Sequence, residues 1–266
     1  MNRAGRLAFF AAVAAFLVAP IVVVAGVSLN AEKRLFFPPE GLSLRWYGDM
    51  VLESAWRGPV EDSLVIAALA GVVSVSAALP LAYTLWRYRI FYAKALFSVG
   101  VAPFMLPPVI SALGFLIFWG SIGHYGRIEN VIISHGMFLV TLPLMTISLG
   151  LESIDREMVE AARTMGASDA TVFRTIILPL IRPYIISGYA FAFVLSLNEY
   201  IIAYMVAGFT VETLPIKIFN SLRYGYTPVM ASVAVAFVLI AVVVFSLIAR
   251  FGDLPRLLGR WSPERE

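Results

Sequence analysis

Six apolar runs, each 22 to 28 residues long, constrain this chain more than any other feature. About 20 apolar residues, rising 1.5 Å each, cross a hydrocarbon core roughly 30 Å thick. Lipid offers no hydrogen-bond partner to the backbone, so runs of this length must be helical, whereas a barrel would need short alternating segments. We therefore expect an all-α, polytopic membrane protein with six transmembrane helices. The runs are 7–29, 63–86, 95–122, 130–151, 184–208 and 224–249.

The amino-acid composition points to the same class of protein. Hydrophobic residues make up 60% of the 266 residues and charged residues 14%, against about 45–50% and about 25% in soluble domains. This excess of apolar residues argues against a soluble enzyme and against a disordered chain. The chain has no cysteine, which excludes disulfides, thiolate metal sites and a cysteine nucleophile. The net charge of +3 gives no indication of a nucleic-acid partner.

The distribution of Lys and Arg predicts the orientation. With a cytoplasmic N-terminus, 13 of the 20 basic residues fall in inside segments and 7 in outside segments. Because positively charged loops are retained in the cytoplasm, this asymmetry predicts that both termini are cytoplasmic. Arg3 and Arg6 precede the first run, as they would in a signal peptide. Its 23 residues exceed the usual h-region of about 7–15, so we interpret it as an uncleaved anchor.

Prolines and small residues indicate that these helices do more than anchor the chain. Prolines inside or near the ends of the runs remove backbone donors and favour kinks. The second run is dense in Ala, Gly and Ser, which allows helices to approach closely. Ordinary packing of a membrane bundle accounts for any one of these residues, but together they suit a bundle that surrounds a pathway. The prolines are Pro20, Pro80, Pro103, Pro107, Pro108 and Pro143.

A long polar loop separates the fourth and fifth runs on the expected cytoplasmic side. Residues 152–183 far exceed the usual connection of about 2–8 residues between bundle helices. Residues 155–165 are predicted to form a short helix, which Gly166 ends in a left-handed conformation. Ion pairs at i,i+4 and i,i+3 spacing are expected within this helix, among Arg156, Glu160 and Arg163.

A second helix is predicted to follow the sharp turn. Ser168 is expected to cap it, and Asp169 lies in its first turn, where a negative charge is favourable. Pro179 and Pro183 are expected to stop this helix before the fifth run begins. The predicted loop is therefore a helix, a sharp turn and a second helix.

The same loop resembles a known family. Its pattern is Glu-Ala-Ala, three residues, Gly-Ala, and a later Leu-Pro, placed between the fourth and fifth of six spans. This is similar to the EAA loop of ABC-importer permease subunits in the binding-protein-dependent family, and the resemblance covers about 62–251. The residues that carry it, and that the resemblance assigns to ATPase coupling, are Glu160, Ala161, Ala162, Gly166, Ala167, Phe173, Leu178 and Pro179.

The resemblance implies a type I importer permease fold in a bacterial inner membrane, working by alternating access. The implied partners are an ATPase homodimer, which the coupling helix would enter, a second homologous permease subunit in a heterodimer, and a periplasmic substrate-binding protein. The sequence contains no Gly-Lys dipeptide and so no G-x-x-x-x-G-K-[ST] phosphate loop, and we expect another polypeptide to bind ATP. No catalytic residue, metal, other cofactor or nucleic-acid partner is expected of this chain.

Three segments are expected along the chain. Residues 1–61 would form an N-terminal transmembrane helix and a periplasmic loop. Residues 62–251 would form a core permease domain of five transmembrane helices with the coupling loop, and 252–266 a cytoplasmic tail. The first outside loop includes an amphipathic stretch, 42–56, suited to the membrane surface. The resemblance implies docking of the binding protein at the outside loops, and interfacial anchoring is the alternative.

Three shorter segments resemble one subfamily, the second permease subunit of spermidine/putrescine-type importers. They are 42–47 (LSLRWY), 212–220 (ETLPIKIFN) and 224–228 (YGYTP). This resemblance implies a small organic cation as the solute, with a polyamine as the leading class. Importers of agmatine-like and γ-aminobutyrate-like solutes have similar sequences in these segments and remain the alternative.

Glu199 is the only carboxylate in any of the six runs. An ionised group at that depth costs at least about 2.5–3.5 kcal/mol, so it is expected to face water or a partner. One hypothesis is that Asn198, Glu199 and Tyr200 line the substrate pathway, with the Tyr200 ring available for a cation–π contact. The other is a buried structural pair between Glu199 and a basic or polar group. His135, alone in the fourth run, is interpreted as a hydrogen-bonded packing residue.

Two other classes of protein compete with the importer. An ion-coupled secondary transporter would show internal repeats and several intramembrane charges, which this sequence lacks. An intramembrane enzyme would need a catalytic constellation, and Ser28 with His135 provides neither an oxyanion feature nor an HExxH motif. The importer permease therefore remains the favoured interpretation.

Overall fold

The structure is a computed structural model and describes residues 3–88, 91–224 and 227–251. Within these ranges the chain is nearly all helical, and its β pairing is a single bridge between Asn30 and Leu42. The helices are α1 (Arg3–Ser28), α2 (Arg45–Leu52), α3 (Ser54–Arg87), α4 (Ala93–Met105), α5 (Pro108–Ser121), α6 (Ile128–Phe138), α7 (Thr141–Glu152), α8 (Arg156–Thr164), α9 (Asp169–Val172), α10 (Leu178–Asn198), α11 (Ile201–Ala207), α12 (Leu214–Tyr224) and α13 (Val229–Phe251).

The described helices include four that are long and apolar enough to cross a membrane. Two bent pairs, α4 with α5 and α6 with α7, raise this number to six if each pair is one span. The all-α polytopic class predicted from the sequence is therefore confirmed. The four single helices are Gly5–Ser28, Ala55–Arg87, Asp169–Asn198 and Val229–Leu247.

The third and fourth runs are broken helices, whereas their apolar character alone predicts continuous ones. The axes of α4 and α5 differ by 103° and those of α6 and α7 by 43°. Leu106 is extended, with φ −80° and ψ 145°, because the ring of Pro107 disfavours the helical region for the preceding residue. Pro108 begins α5, where no backbone donor is needed. The expectation that prolines bend these runs is confirmed at this position.

The expectation that Pro179 and Pro183 stop the second loop helix is wrong. Helix α9 continues through a π-helical segment, Phe173–Ile177, into α10, and Asp169–Asn198 is one helical span. The backbone N–H of Leu178 bonds to the Phe173 carbonyl, five residues back. This wider turn ends one residue before Pro179, which therefore occupies the first turn of α10 and breaks no interior hydrogen bond.

The chain divides into two compact units, and the first comprises Met1–Glu61 and Glu212–Ala241. Its hydrophobic core contains two tryptophans, and Trp46 Nε1 donates to the Asn30 carbonyl at 2.6 Å. Helix α2 covers the middle of the amphipathic stretch 42–56, whose C-terminal end already belongs to α3. The core residues are Trp46, Trp56, Leu214, Val229, Met230 and Val233.

The second unit comprises Asp62–Val211 and Val242–Glu266. Its core joins the C-terminal half of α3 to α7, to the loop helices and to α10. Several small residues of the second run are fully buried, as close packing requires, among them Ala67, Ala70 and Ser74, whereas Ser76 is exposed. The core residues are Ala78, Ala82, Val140, Leu144, Ile147, Leu151, Ile154, Val159, Val172, Ile177 and Ile181.

Two segments predicted from the sequence fall partly or wholly outside the described residues. The expected cytoplasmic tail, 252–266, lies outside them, as do residues 225 and 226 of the subfamily segment 224–228.

Candidate functional site

In the coupling loop, the first helix, α8, has a capped N-terminus and is followed by a sharp turn. The Asp155 carboxylate accepts a hydrogen bond from the Glu157 N–H at 2.9 Å, which satisfies one of the free donors at the start of α8. Gly166 has a φ of +89°, a left-handed conformation that favours glycine. Ser168 then caps α9 by accepting from the Thr171 N–H at 3.2 Å. The predicted turn at Gly166 and the predicted cap at Ser168 are confirmed.

One side of the coupling loop packs into the core of its unit. Val159 is buried, and Ala162 and Ala167 pack against the same cluster. Phe173 adds an edge-to-face contact with Tyr83, with ring centroids 4.9 Å apart. Because these residues hold α8, α9 and α3 together, movement of α8 is mechanically linked to the spans.

The other side of α8 is exposed. Glu160 and Ala161 lie on this surface. Two flexible apolar side chains, Met158 and Met165, are exposed beside them at 46% and 85%. An exposed apolar strip around a small residue is typical of a helix that a partner protein covers. We call Met158, Ala161 and Met165 the coupling face.

The ion pairs of the loop differ from those expected within α8. Arg163 Nη2 lies 2.8 Å from Asp169 Oδ1, and Arg87 Nη2 lies 3.6 Å from the same oxygen. Asp169 therefore connects α8, α9 and the end of α3, in addition to its place in the first turn of α9. No ion pair within α8 is found among the described residues, because Arg163 turns towards Asp169 instead of Glu160.

Glu199 occupies the break between α10 and α11. The residue itself is extended, with φ −75° and ψ 123°. Its carboxylate accepts the backbone N–H groups of Ile201, Ile202 and Ala203 at 2.9–3.1 Å. A carboxylate is well suited to this position, because the first N–H groups of α11 are otherwise unpaired and carry positive partial charge.

His135 is the second partner of Glu199. His135 Nε2 lies 3.1 Å from Glu199 Oε2, and His135 Nδ1 lies 2.8 Å from Ser196 Oγ. His135 is 1% exposed and the Glu199 side chain 9%. The structure thus contains the buried pair that the sequence left open as the alternative for Glu199, and it confirms His135 as a hydrogen-bonded packing residue.

Asn198 and Tyr200, which flank Glu199 in the sequence, lie in different environments. Asn198 is exposed, and its amide donates to the Val194 carbonyl at 2.9 Å. The Tyr200 ring stacks on Tyr204, with centroids 5.4 Å apart and planes inclined by 23°. The three residues of the expected substrate pathway share the helix break, but their side chains contact different partners.

Sequence reasoning missed the partner of Glu199. Glu199 is the only charged residue of its run, and His135 is the only titratable residue of its run. Two lone polar groups in apolar helices are expected to find each other, since both would otherwise be unpaired in lipid, and this signal could have predicted the contact. The pairing of Asp169 with Arg87 had no comparable signal. The two residues lie in different polar segments, and each segment offers several other charged residues as partners.

Helix α10 connects the two sites. It runs for 21 residues from Leu178, beside the loop, to Asn198, beside the helix break. At 1.5 Å per residue its length is about 30 Å, the thickness of a hydrocarbon core. The loop helices and the helix break therefore lie at opposite ends of α10. No group of three or more metal-ligating side chains is found in the described ranges.

Comparison with known proteins places the chain in a family. Residues 74–253 match the family described as the binding-protein-dependent transport system inner membrane component, and the chain belongs to it. It is therefore a multi-pass ABC importer permease subunit. The resemblance seen in the EAA pattern is confirmed.

Two relatives and one solved structure illustrate the similarity. The chain is 34% identical to the putrescine transport system permease protein PotI of Escherichia coli K12, over 82% of this chain and 80% of PotI. It is 29% identical to the spermidine/putrescine transport system permease protein PotC of Haemophilus influenzae, over 92% and 96% of the two chains. The fold resembles that of a bacterial ABC transporter involved in alginate import, with a TM-score of 0.71, 16% identity, and coverage of 94% and 98%.

Proposed function

We propose that this chain helps to form the translocation pathway of an ATP-driven importer for a small organic cation of the polyamine class. The observation that carries this proposal is the similarity to permeases named for putrescine and spermidine, which extends over at least 80% of each chain in the comparisons above. Another small amine or amino-acid-like solute, such as agmatine or γ-aminobutyrate, is the alternative. The site of action would be the inner membrane of a bacterium, with both termini in the cytoplasm.

The proposed partner at the coupling loop is an ATPase homodimer. The coupling face supports this assignment, because its small Ala161 allows close approach and its two methionines adapt to a groove. The Glu160 carboxylate beside it could pair with a basic group of the ATPase. ATP would be bound and hydrolysed by that partner, and this chain would be non-catalytic.

The proposed transport cycle uses α10 as the mechanical link. Closure of the ATPase dimer would move α8 inward, and the shared core of Val159, Ile177 and Ile181 would carry α10 with it. The break at Asn198–Tyr200 would then change its exposure to the two sides of the membrane. A second, homologous permease subunit would supply the other half of the pathway, and a periplasmic binding protein would deliver the solute.

The helix break is proposed to line the substrate pathway. Discontinuous helices in transporters commonly mark substrate sites, because irregular backbone is tolerated at membrane depth where it lines a cavity. Asn198 is exposed, and the stacked rings of Tyr200 and Tyr204 offer a π surface to a cation. Glu199 would act as a positioning residue, since its carboxylate holds the turn that presents its two neighbours.

Reconstitution of the complete transporter tests this function. The chain, its partner permease, the ATPase and the binding protein would be placed in liposomes, and uptake of labelled putrescine measured with and without ATP. We expect uptake that requires ATP and binding protein and is inhibited by excess spermidine. An ATPase variant lacking its phosphate-loop lysine is the matched control and should abolish uptake.

Two results would decide between the alternatives. Inhibition by agmatine or γ-aminobutyrate, but not by spermidine, would replace the polyamine with another small solute. Uptake by this chain alone, driven by an ion gradient and independent of ATP, would instead identify a secondary transporter.

A further inference from the structure

A small pocket lies between the C-terminal end of α3 and the coupling helix α8. Its volume is about 80 Å³, well below the roughly 300–1,000 Å³ of pockets that take drug-sized ligands. A pocket of this size suits a single small ionic group rather than a nucleotide or a whole solute. It is lined by Trp86, Arg87, Arg156, Val159, Glu160 and Arg163.

The lining of this pocket has an excess of positive charge. Three guanidinium groups face one carboxylate, that of Glu160. Arg87 and Arg163 share a single oxygen of Asp169, so one carboxylate balances two arginines. Arg156 lies 5.7 Å from the Trp86 ring centroid and has no carboxylate within ion-pair distance in the described part of the chain. With Asp169 included, three positive charges face two negative ones.

Buried donors in the same place lack acceptors. The Nε atoms of Arg87 and Arg163 are inaccessible to solvent and have no hydrogen-bond partner among the described residues. Such donors are unfavourable as they stand, and a turn of either side chain towards the pocket would let a bound group supply oxygen atoms to them. The planar guanidinium fork matches the geometry of phosphate, which accepts several hydrogen bonds at once. The chemistry that fits is a tetrahedral oxyanion with one exposed face.

We propose that this pocket binds one phosphate group, either the headgroup of an anionic phospholipid or free inorganic phosphate. Arg87 ends an apolar helix long enough to span the membrane, next to Trp86 and the exposed Tyr88, and is therefore expected at the level of lipid headgroups. Basic pockets between helices at that level are typical of anionic-lipid sites. The bound phosphate connects Arg87 of α3 with Arg156 and Arg163 of α8, and so holds the coupling helix against its span. This inference does not depend on which solute is transported.

Hydrogen exchange of the complete transporter tests the proposal. The transporter would be placed in phosphatidylcholine nanodiscs, in phosphatidylglycerol nanodiscs, and in phosphatidylcholine nanodiscs with added inorganic phosphate. Exchange would then be followed at the amides of 156–164. At a ligand concentration of twice Kd, linkage predicts exchange slowed by about threefold. Arg156→Gln should remove this protection, and Arg174→Gln, an exposed arginine elsewhere in the loop, is the matched control and should keep it.

The arms of the experiment distinguish the sources of phosphate. Protection in phosphatidylglycerol alone identifies a lipid headgroup, and protection by inorganic phosphate in phosphatidylcholine identifies the free anion. Equal loss of protection in Arg174→Gln would show that protection depends on the overall positive charge of the surface and not on the pocket, and would overturn the proposal. So would protection that depends on Arg156 yet is the same in every arm, since an acidic side chain of the ATPase would then occupy the pocket. Unchanged exchange in all arms also overturns it.

Discussion

His135 Nε2 lies 3.1 Å from Glu199 Oε2, and this contact ties α6 to the break between α10 and α11. The same carboxylate accepts three backbone N–H groups at the start of α11. The acceptor positions of Glu199 are therefore engaged within the chain. Direct binding of a transported cation would have to compete with these bonds. A positioning role for Glu199 follows from this geometry.

Removal of the Glu199 carboxylate is expected to lower stability more than it changes solute recognition. Glu199→Ala leaves three N–H groups without their acceptor and removes the carboxylate beside His135, and each buried unsatisfied group costs about 1–3 kcal/mol. Glu199→Gln keeps one acceptor oxygen and should lower the unfolding temperature less. Thermal unfolding of the purified transporter, measured together with the KM for putrescine uptake, checks this order.

Glu129→Gln is the control for the Glu199 variants, because Glu129 is exposed in the first turn of α6. It should leave both the unfolding temperature and KM unchanged. The positioning role would be contradicted by a Glu199→Gln variant of normal stability whose KM for putrescine rises severalfold. That result would assign the carboxylate to direct contact with the cation.

Gly188 lies where α10 packs closely against α7. A Cβ at this position would lie 2.6 Å from Pro143 Cα, a backbone atom that cannot move aside easily. Gly188→Ala is therefore expected to destabilise the fold by about 1–3 kcal/mol, as overpacking does. Gly114→Ala is the matched control, since a Cβ added there would meet no atom within 4 Å, and it should be neutral or slightly stabilising. Equal unfolding temperatures for the two variants would show that α7 and α10 are packed less closely than this.

The coupling loop was predictable because its signals are local. Asp155, Gly166 and Ser168 act on backbone groups within three residues, so residue type and spacing predict the caps and the turn. The prediction that Pro179 and Pro183 stop the second loop helix failed, because the rule that proline stops a helix assumes an α-helical turn before it. The π-helical segment Phe173–Ile177 removes that conflict, and nothing in its sequence marks it as π-helical.

The helix break at Glu199 was predictable only in part. The cost of a lone carboxylate in an apolar run shows that it needs a partner, but the identity of that partner depends on how α6 packs beside α10 and α11. His135 lies on a different helix. Its isolation in an apolar run makes it a candidate partner, but the sequence does not show that the two helices pack side by side. The bend between α4 and α5 was also predictable only in part. Pro107 predicts where the helix breaks, but it does not predict the angle of 103°.

Gly166 is expected to be required for coupling through its backbone conformation alone. Its φ of +89° is unfavourable for a β-branched residue, at a cost of about 1–3 kcal/mol, yet a Cβ added there would meet no atom within 4 Å. Gly166→Val should therefore reduce uptake per ATP hydrolysed, while Gly166→Asn, which tolerates the left-handed region, should retain most of it. The ratio of putrescine uptake to phosphate release in liposomes measures this. Normal coupling in Gly166→Val would show that the left-handed turn is not required for coupling.

Ala161 is expected to be the position at which a bulky charge most disturbs the ATPase. It is exposed at the centre of the coupling face, between Met158 and Met165. Ala161→Glu places a charge in an apolar contact and should lower the amount of ATPase that co-purifies with the permease by about tenfold or more, since burying an unpaired charge costs several kcal/mol. Ala170→Glu makes the same change at an exposed position on α9 and should leave co-purification intact. Because both alanines are exposed, neither variant is expected to lower the unfolding temperature of the permease. Full co-purification in Ala161→Glu, or equal loss in both variants, would show that the ATPase does not bind at the coupling face.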